Sequence, residues 1–401
     1  MNARGTGSLS TYVPTLDGWR AVSVLGVIYF HSLQNGLQRG TVWSFLAARG
    51  DAGVECFFAI SGFLICGKLL AELRQTQSIS LRNFYLRRCF RIFPAVWVYL
   101  AVLALLTSLG WIASHGWEFA STLLFVRNYF PLYHNGVFGT YTAQFWSLGL
   151  EEHFYLLWPV TMLMLGPKIS RIGWAALISA LCVFAWRLID ESHGWLIPFG
   201  TDVSVKTDTH IDALMWGCLA AIAYPSISAR LKTLPFARNL WVPVSLLLVL
   251  GLFVHNIPAF EQIKPLIKAI LFPAMILSTV IFPESLLGRF LELPLLRWIG
   301  RLSYSIYIWQ QLAEFRTQSP ESPLRILQIF PYNLGVIFLL AACSYYFVER
   351  PMTRLGHRLT RPKSRTEVRG VNPQSEVPRM PAALASSPSR SVSAQADHLV
   401  G

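Results

Sequence analysis

The stretch "LDGWRAVSVLGVIYFHS", residues 16–32, belongs in lipid yet carries an ionisable side chain near each end. Ten residues, none of them charged, separate Arg20 from His31. At 100° per residue the eleven steps make three turns and about 20° more, so both side chains share one helical face, ~16 Å apart along the axis. An ionisable group deep in a bilayer is costly and by default marks function. Taken singly, Arg20 also fits a snorkelling anchor, and His31 an interhelix hydrogen bond.

The rest of the chain agrees with a lipid setting. Of 401 residues, 53% are hydrophobic and 14% charged, where soluble proteins stand at about a quarter charged. Fourteen tryptophans and 26 phenylalanines suit lipid-facing and interfacial surfaces. The net charge of +13 does not point to nucleic acid, because the basic residues lie between apolar runs or in the tail, where bilayer orientation accounts for them. Six cysteines without a CxxC spacing support neither a disulfide framework nor a zinc site, and no metal is expected.

Windows of ~20 apolar residues are long enough to cross a bilayer. Ten candidates fall at about 18–38, 52–70, 92–112, 146–166, 173–190, 210–226, 240–256, 266–284, 302–316 and 329–349, with a shorter apolar run at about 118–130. The polar first fifteen residues show no cleavable signal, so the first helix is expected to be retained. Lysines and arginines cluster on alternate connections, among them Arg82, Arg87, Lys168, Arg171, Lys232 and Arg350, which places both termini in the cytoplasm by the positive-inside rule. The expected fold is all-α: a polytopic membrane helix bundle of about ten transmembrane helices. Residues 1–15 form a cytoplasmic N-terminal segment, 16–358 the transmembrane domain, and 359–401 a cytoplasmic tail rich in Ser, Pro and Arg and expected to be disordered.

Four further clusters carry polar chemistry. In "GVECFFAISGFLICGKLL" (53–70), Ser61 and Gly62 read best as small packing residues; a nucleophilic serine would need a base and an oxyanion site nearby. In "NFYLRRCFRIFPAVW" (83–97), Arg88 and Arg91 stand at i, i+3; they fit the positive-inside rule and equally a phosphate cradle for a nucleotide-bearing donor such as coenzyme A. "AQFWSLGLEEHFYLLWPV" (143–160) sets Glu151, Glu152 and His153 near the start of an apolar span. With Trp146 at the interface, Glu151 should reach a depth matching His31 and pair with it, either to raise its basicity or as a structural hydrogen bond. Finally, "THIDALMWGCLAA" supplies His210 and Asp212, and "IGRLSYSIYIWQQLAEF" supplies Tyr304, Tyr307, Gln310 and Gln311. These side chains suit either a polar acceptor or helix–helix contacts.

With these segments in hand, the chain resembles the integral-membrane acyltransferase family 3. The likeness rests on "LDGWRAVSVLGVIYFH", "FFAISGFL", "RRCFRIFP", "WSLGLEEHFYLLWP", "IDALMWG", "LSYSIYIWQ" and "SYYFVERP", in the family's order from residue 16 to about 356. The resemblance implies about ten helices in the bacterial inner membrane and transfer of an acyl group, commonly acetyl, from cytoplasmic acyl-CoA. The acceptor is then a hydroxyl of a glycan, a lipid-linked sugar or a small molecule. It implies His31 and Glu151 as catalytic residues and Arg20, Arg88 and Arg91 as donor-binding. Trp146, Glu152, His210, Asp212, Tyr307 and Gln310 are implied around the substrates. Two departures bear on acceptor choice: Gln310 stands where many relatives have histidine, and His210 where many have arginine. Relatives with an appended extracytoplasmic domain are longer, so transfer is expected within the membrane core. The competing class is a proton-coupled transporter of a sugar or small molecule, which intramembrane His and Glu also fit.

Overall fold

The computed structural model describes residues 12–32, 50, 52–130, 133–134, 137–138, 140–193, 205–253, 257–317, 319 and 321–360. The tail beyond Thr360 and residues 1–11, for which the sequence gives expectations above, lie outside the described residues. The helices in chain order are α1 (Pro14–Ser32), α2 (Ala52–Thr76), α3 (Leu81–Ser108), α4 (Gly116–Leu123), α5 (Phe145–Leu165), α6 (Ile169–His193), α7 (Thr207–His210) and α8 (Asp212–Leu231). They continue with α9 (Trp241–Phe253), α10 (Pro258–Ile281), α11 (Leu286–Leu291), α12 (Pro294–Glu314), α13 (Leu324–Leu327), α14 (Tyr332–Ser344) and α15 (Arg350–Leu359). A π turn, Tyr345–Glu349, joins the last two. The two-residue strands Tyr133–His134 and Val137–Phe138 pair antiparallel and are the only ladder among the described residues.

A helix occupies each of the ten expected windows. Among the described residues six stretches are long and apolar enough to cross a membrane: α2, α3, α8, most of α6 and α10, and the run from α14 through α15. The others, α1, α5, α9 and α12, include the three helices that carry most of the candidate site. The fold is a polytopic helical bundle, in which intrahelical bonds satisfy the backbone without water. Pro94, Pro159, Pro225 and Pro273 sit inside helices, as packed membrane helices tolerate.

Close crossings set the geometry. Gly300 of α12 lies against the Asp17 carbonyl of α1, and Gly62 of α2 against the Leu214 carbonyl of α8; a Cβ at either would strike backbone. The expectation that Gly62 serves close approach holds. Gly53 abuts Ser23 while Gly50 abuts Gly26, so α2 descends alongside α1 in the opposite direction. That register fixes the relative depths of the site residues below.

Two elements begin differently from expectation. The third span starts at Leu81 rather than about 92, so Arg82, Arg87, Arg88 and Arg91 are all on the helix itself. The short apolar run at 118–130 becomes α4 and a single 3₁₀ turn, Arg127–Tyr129, braced against the chain leading into α5. Arg127 is fully buried: Nε donates to Thr142 Oγ1 at 3.0 Å and Nη2 to Thr140 Oγ1 at 2.8 Å, and the guanidinium lies 4.9 Å over the Trp117 ring. Replacing it with methionine keeps the bulk and removes both of these charge-assisted hydrogen bonds, leaving the two threonine hydroxyls to pair with each other at 3.2 Å. Arg127→Met is expected to lower stability by about 3 kcal/mol, read as an earlier midpoint in mixed-micelle SDS titration.

Candidate active site

A cavity of about 410 Å³ opens between α1, α2, α3, α5 and α12. On α2 its wall runs from Val54 to Lys68, fourteen helical steps or ~21 Å. Arg20, Lys68, Arg88 and Arg91 all line it. Three of them occupy expected positions: Arg20 on the α1 face shared with His31, and Arg88 and Arg91 one turn apart on α3. Lys68 joins them from α2. None of the four makes an ion pair among the described residues. Arg88 instead stacks 4.7 Å over the Tyr155 ring.

Glu151 is the carboxylate α5 brings to this wall. Its Oε1 accepts from Ser61 Oγ at 2.7 Å and its Oε2 from Tyr155 Oη at 3.0 Å; Tyr155 Oη also reaches Ser61 Oγ at 3.3 Å. Ser61 therefore faces the cavity and binds the carboxylate, while its neighbour Gly62 does the packing. Ser147, Glu151 and Tyr155 stand at i, i+4 and i+8 and line the cavity together, as one face of a helix must. That spacing was present in "WSLGLEEHFY" and identifies Ser147 and Tyr155, which sequence reading passed over. Glu152, ~100° round the helix, is half-buried and off the cavity wall. His153 turns further away, with Nδ1 2.7 Å from Thr207 Oγ1.

The expected pairing of Glu151 with His31 is not made. From the contact of Gly53 with Ser23, Ser61 lies eight residues toward one end of the bundle and His31 eight residues toward the other, ~12 Å each way. Glu151, bound to Ser61, shares the former level. The misreading came from Trp146, which was placed at the interface. The five residues before α5, Thr140–Gln144, are all buried, so α5 begins well inside the protein. His31, 9% exposed, is faced by the Gln310 side chain, one turn of α12 beyond Tyr307. Tyr307 lines the cavity, and Gln310 and His31 lie past its far end. Among the described residues the buried Gln310 amide has no hydrogen bond of good geometry.

Trp146, His210 and Asp212 belong to a neighbouring buried network. Glu55 Oε1 of α2 lies 3.3 Å from His210 Nε2 and 3.1 Å from Lys268 Nζ of α10. The His210 ring packs edgewise on Phe58 and Trp146 at centroid distances of 5.6 and 6.0 Å; of the two, Phe58 forms part of the cavity wall. Asp212 pairs with Arg187 at 3.0 Å. His210 thus stands one ring behind the cavity rather than in it, and Asp212 is a structural ion pair. Lys268→Met leaves Glu55 with only His210 as partner and is expected to lower stability by about 3 kcal/mol, measured in the same SDS titration. Glu349, also unremarked in the sequence, is turned inward by the π turn and accepts from Ser305 Oγ at 2.9 Å.

Comparison with known proteins follows the same residues. The family described as an acyltransferase domain matches residues 13–348. The chain is 29% identical over 372 residues to a putative peptidoglycan O-acetyltransferase, YrhL, of Bacillus subtilis, covering 86% of this chain and 56% of that protein. It is 28% identical over 379 residues to the peptidoglycan O-acetyltransferase OatA of Listeria monocytogenes, with 86% and 56% covered. It is also 28% identical over 373 residues to the O-acetyltransferase OatA of Staphylococcus aureus, with 86% and 58% covered. The chain thus spans little more than half the length of these relatives. No solved structure matches it. The matched segment contains Arg20, His31, Arg88, Arg91 and Glu151 and nearly the whole helical bundle, and the chain belongs to the membrane acyltransferase family that this domain defines.

Proposed function

We propose that the chain is a multi-pass inner-membrane O-acyltransferase that moves an acyl group, acetyl being the expected one, from cytoplasmic acyl-CoA to a glycan hydroxyl. Peptidoglycan or its lipid-linked precursor is the first acceptor to test, since relatives bear that name. One observation carries the reading: four cations share the wall of one cavity and none has an ion-pair partner among the described residues. Four cations against the two carboxylates of the same wall, Asp17 and Glu151, leave a positive excess between membrane helices that calls for an anion, and forked donors suit phosphate oxygens. The 3′-phosphate and diphosphate of coenzyme A supply that anion, and its thioester supplies an activated acyl group.

In this reading Arg20, Arg88, Arg91 and Lys68 hold the phosphates at the cytoplasmic end. Glu151 orders Ser61 and Tyr155 and balances the charge of Arg88 and Arg20. The ~16 Å along α1 from Arg20 to His31 matches the reach of a pantetheine arm. His31, with Gln310 beside it, takes the proton from an acceptor hydroxyl arriving from the far side. Trp146, Glu152, His210 and Asp212 then support the site from behind its walls.

The test uses inside-out vesicles from cells expressing the chain, supplied with acyl-labelled acetyl-CoA. Label in the glycan or lipid-linked fraction, absent from vesicles without the protein, supports the reading. No label in any fraction, together with no binding of CoA to the purified protein, overturns it in favour of a carrier.

A further inference from the structure

The cations and His31 leave one requirement of acyl transfer unassigned, a donor for the carbonyl oxygen as it gains charge. The geometry points to Tyr307, backed by Ser147, as that donor; the inference rests on the acyltransferase reading. Both residues line the cavity, and Ser147 Oγ lies 2.6 Å from Tyr307 Oη. Along α12, Tyr304 is one turn to one side of Tyr307, its hydroxyl bound to the Ile92 carbonyl beside Arg91 at 2.9 Å. Gln310, which faces His31, is one turn to the other side. Along α12 the pair therefore sits between the phosphate-binding end and Gln310, on the path a pantetheine arm takes toward His31 in this reading.

The hydrogen bonding favours Tyr307 over the other cavity phenols. The Tyr304 proton is held by a main-chain carbonyl, the Tyr155 proton by Glu151 and the Tyr12 proton by Asp17. The Ser147–Tyr307 pair holds two protons and has, among the described residues, one acceptor outside itself, the Gln144 carbonyl, 3.2 Å from Ser147 Oγ and 3.1 Å from Tyr307 Oη. Gln144 is the N-cap of α5, a position whose carbonyl also takes the first helical N–H. Turning the Tyr307 proton into the cavity thus orphans nothing. Ser147 then donates to the phenol oxygen, and a chain of donors polarises its last member. The Tyr307 ring is braced edgewise by Phe57, 6.2 Å between centroids, so the hydroxyl is held before the substrate arrives.

In the transfer, the acceptor oxygen bonds to the acyl carbon as His31 takes its proton. The carbonyl π pair moves onto oxygen, where Tyr307 Oη–H donates to it. The pair returns, the C–S bond breaks, and the departing thiolate receives the proton from His31. Tyr307 is thus a catalytic residue in contact with the reacting carbonyl, and Ser147 its positioning residue.

Tyr307→Phe is the direct test, with kcat, KM for acetyl-CoA and calorimetric CoA binding measured on purified enzyme in nanodiscs. A lost oxyanion donor lowers kcat and kcat/KM together by ~10²–10³-fold and leaves CoA binding and KM unchanged. Ser147→Ala, a milder change that keeps the ring in place, should lower kcat by about 10-fold with the same KM. An unchanged kcat in Tyr307→Phe overturns the inference, as does a parallel loss of CoA binding, which marks a packing or donor-binding role. If Tyr307→Phe fails to fold, an unchanged kcat in Ser147→Ala overturns it instead. Absence of transfer by the wild-type enzyme would be a failure of the acyltransferase reading itself, and wild-type turnover separates the two.

Discussion

His31→Ala is expected to lower kcat for acyl transfer by ~10²–10⁴-fold, the range for a positioned acid–base group, with affinity for CoA retained. The expectation follows from position. His31 lies ~16 Å along α1 from Arg20, past the end of the cavity, and so is remote from the four cations assigned to the phosphates. A histidine that only glued helices would act through stability, and its loss would reduce folded protein and CoA binding together. A proton carrier at the acceptor end leaves donor binding intact and stops turnover. The measurement is therefore paired: transfer in nanodiscs at matched protein, and CoA binding by calorimetry. Intact kcat in His31→Ala removes the residue from the reaction. His31→Gln adds a control, since glutamine keeps hydrogen bonding without carrying a proton and should be as inactive as alanine.

The distance between His31 and Glu151 also measures how far the sequence could be read. Local patterns were legible: apolar windows located the helices, and Gly62 marked a close crossing. What failed was depth across helices. Trp146 reads as an interfacial marker, yet the buried Thr140–Gln144 segment, held by Arg127, carries the start of α5 inside the protein. Nothing in a window around residue 146 reports a guanidinium that binds Thr140 and Thr142. Ser61 is a related case. A serine beside a glycine in an apolar run reads as packing, and its hydrogen bond to Glu151, ninety positions away, is a product of tertiary fold. The pairing of Glu55 with Lys268 is still more remote in sequence. By contrast, the face formed by Ser147, Glu151 and Tyr155 is purely local and was available from spacing alone.

The second large effect concerns the donor. Arg88→Ala and Arg91→Ala are each expected to weaken CoA binding by ~10–100-fold, the equivalent of losing a charge-assisted hydrogen bond of about 1.5–3 kcal/mol. Both guanidinium groups face the same cavity as Arg20 and Lys68, so the double variant should lose less than the product of the single effects, because contacting residues do not add. Arg88 also stacks on Tyr155, which holds the Glu151 carboxylate. Arg88→Lys keeps the charge but loses the fork and the stacking, and should recover only part of the affinity. If the positive-inside rule were the sole reason for these residues, lysine would serve as well as arginine and CoA binding would be untouched by any of the three variants. Comparing CoA with dephospho-CoA sharpens the result. The arginine whose removal abolishes discrimination between the two ligands is the one that holds the 3′-phosphate, and the other is left with the diphosphate. Equal affinities for both ligands in the wild-type protein would place the 3′-phosphate outside the cluster and leave the cations to the diphosphate alone.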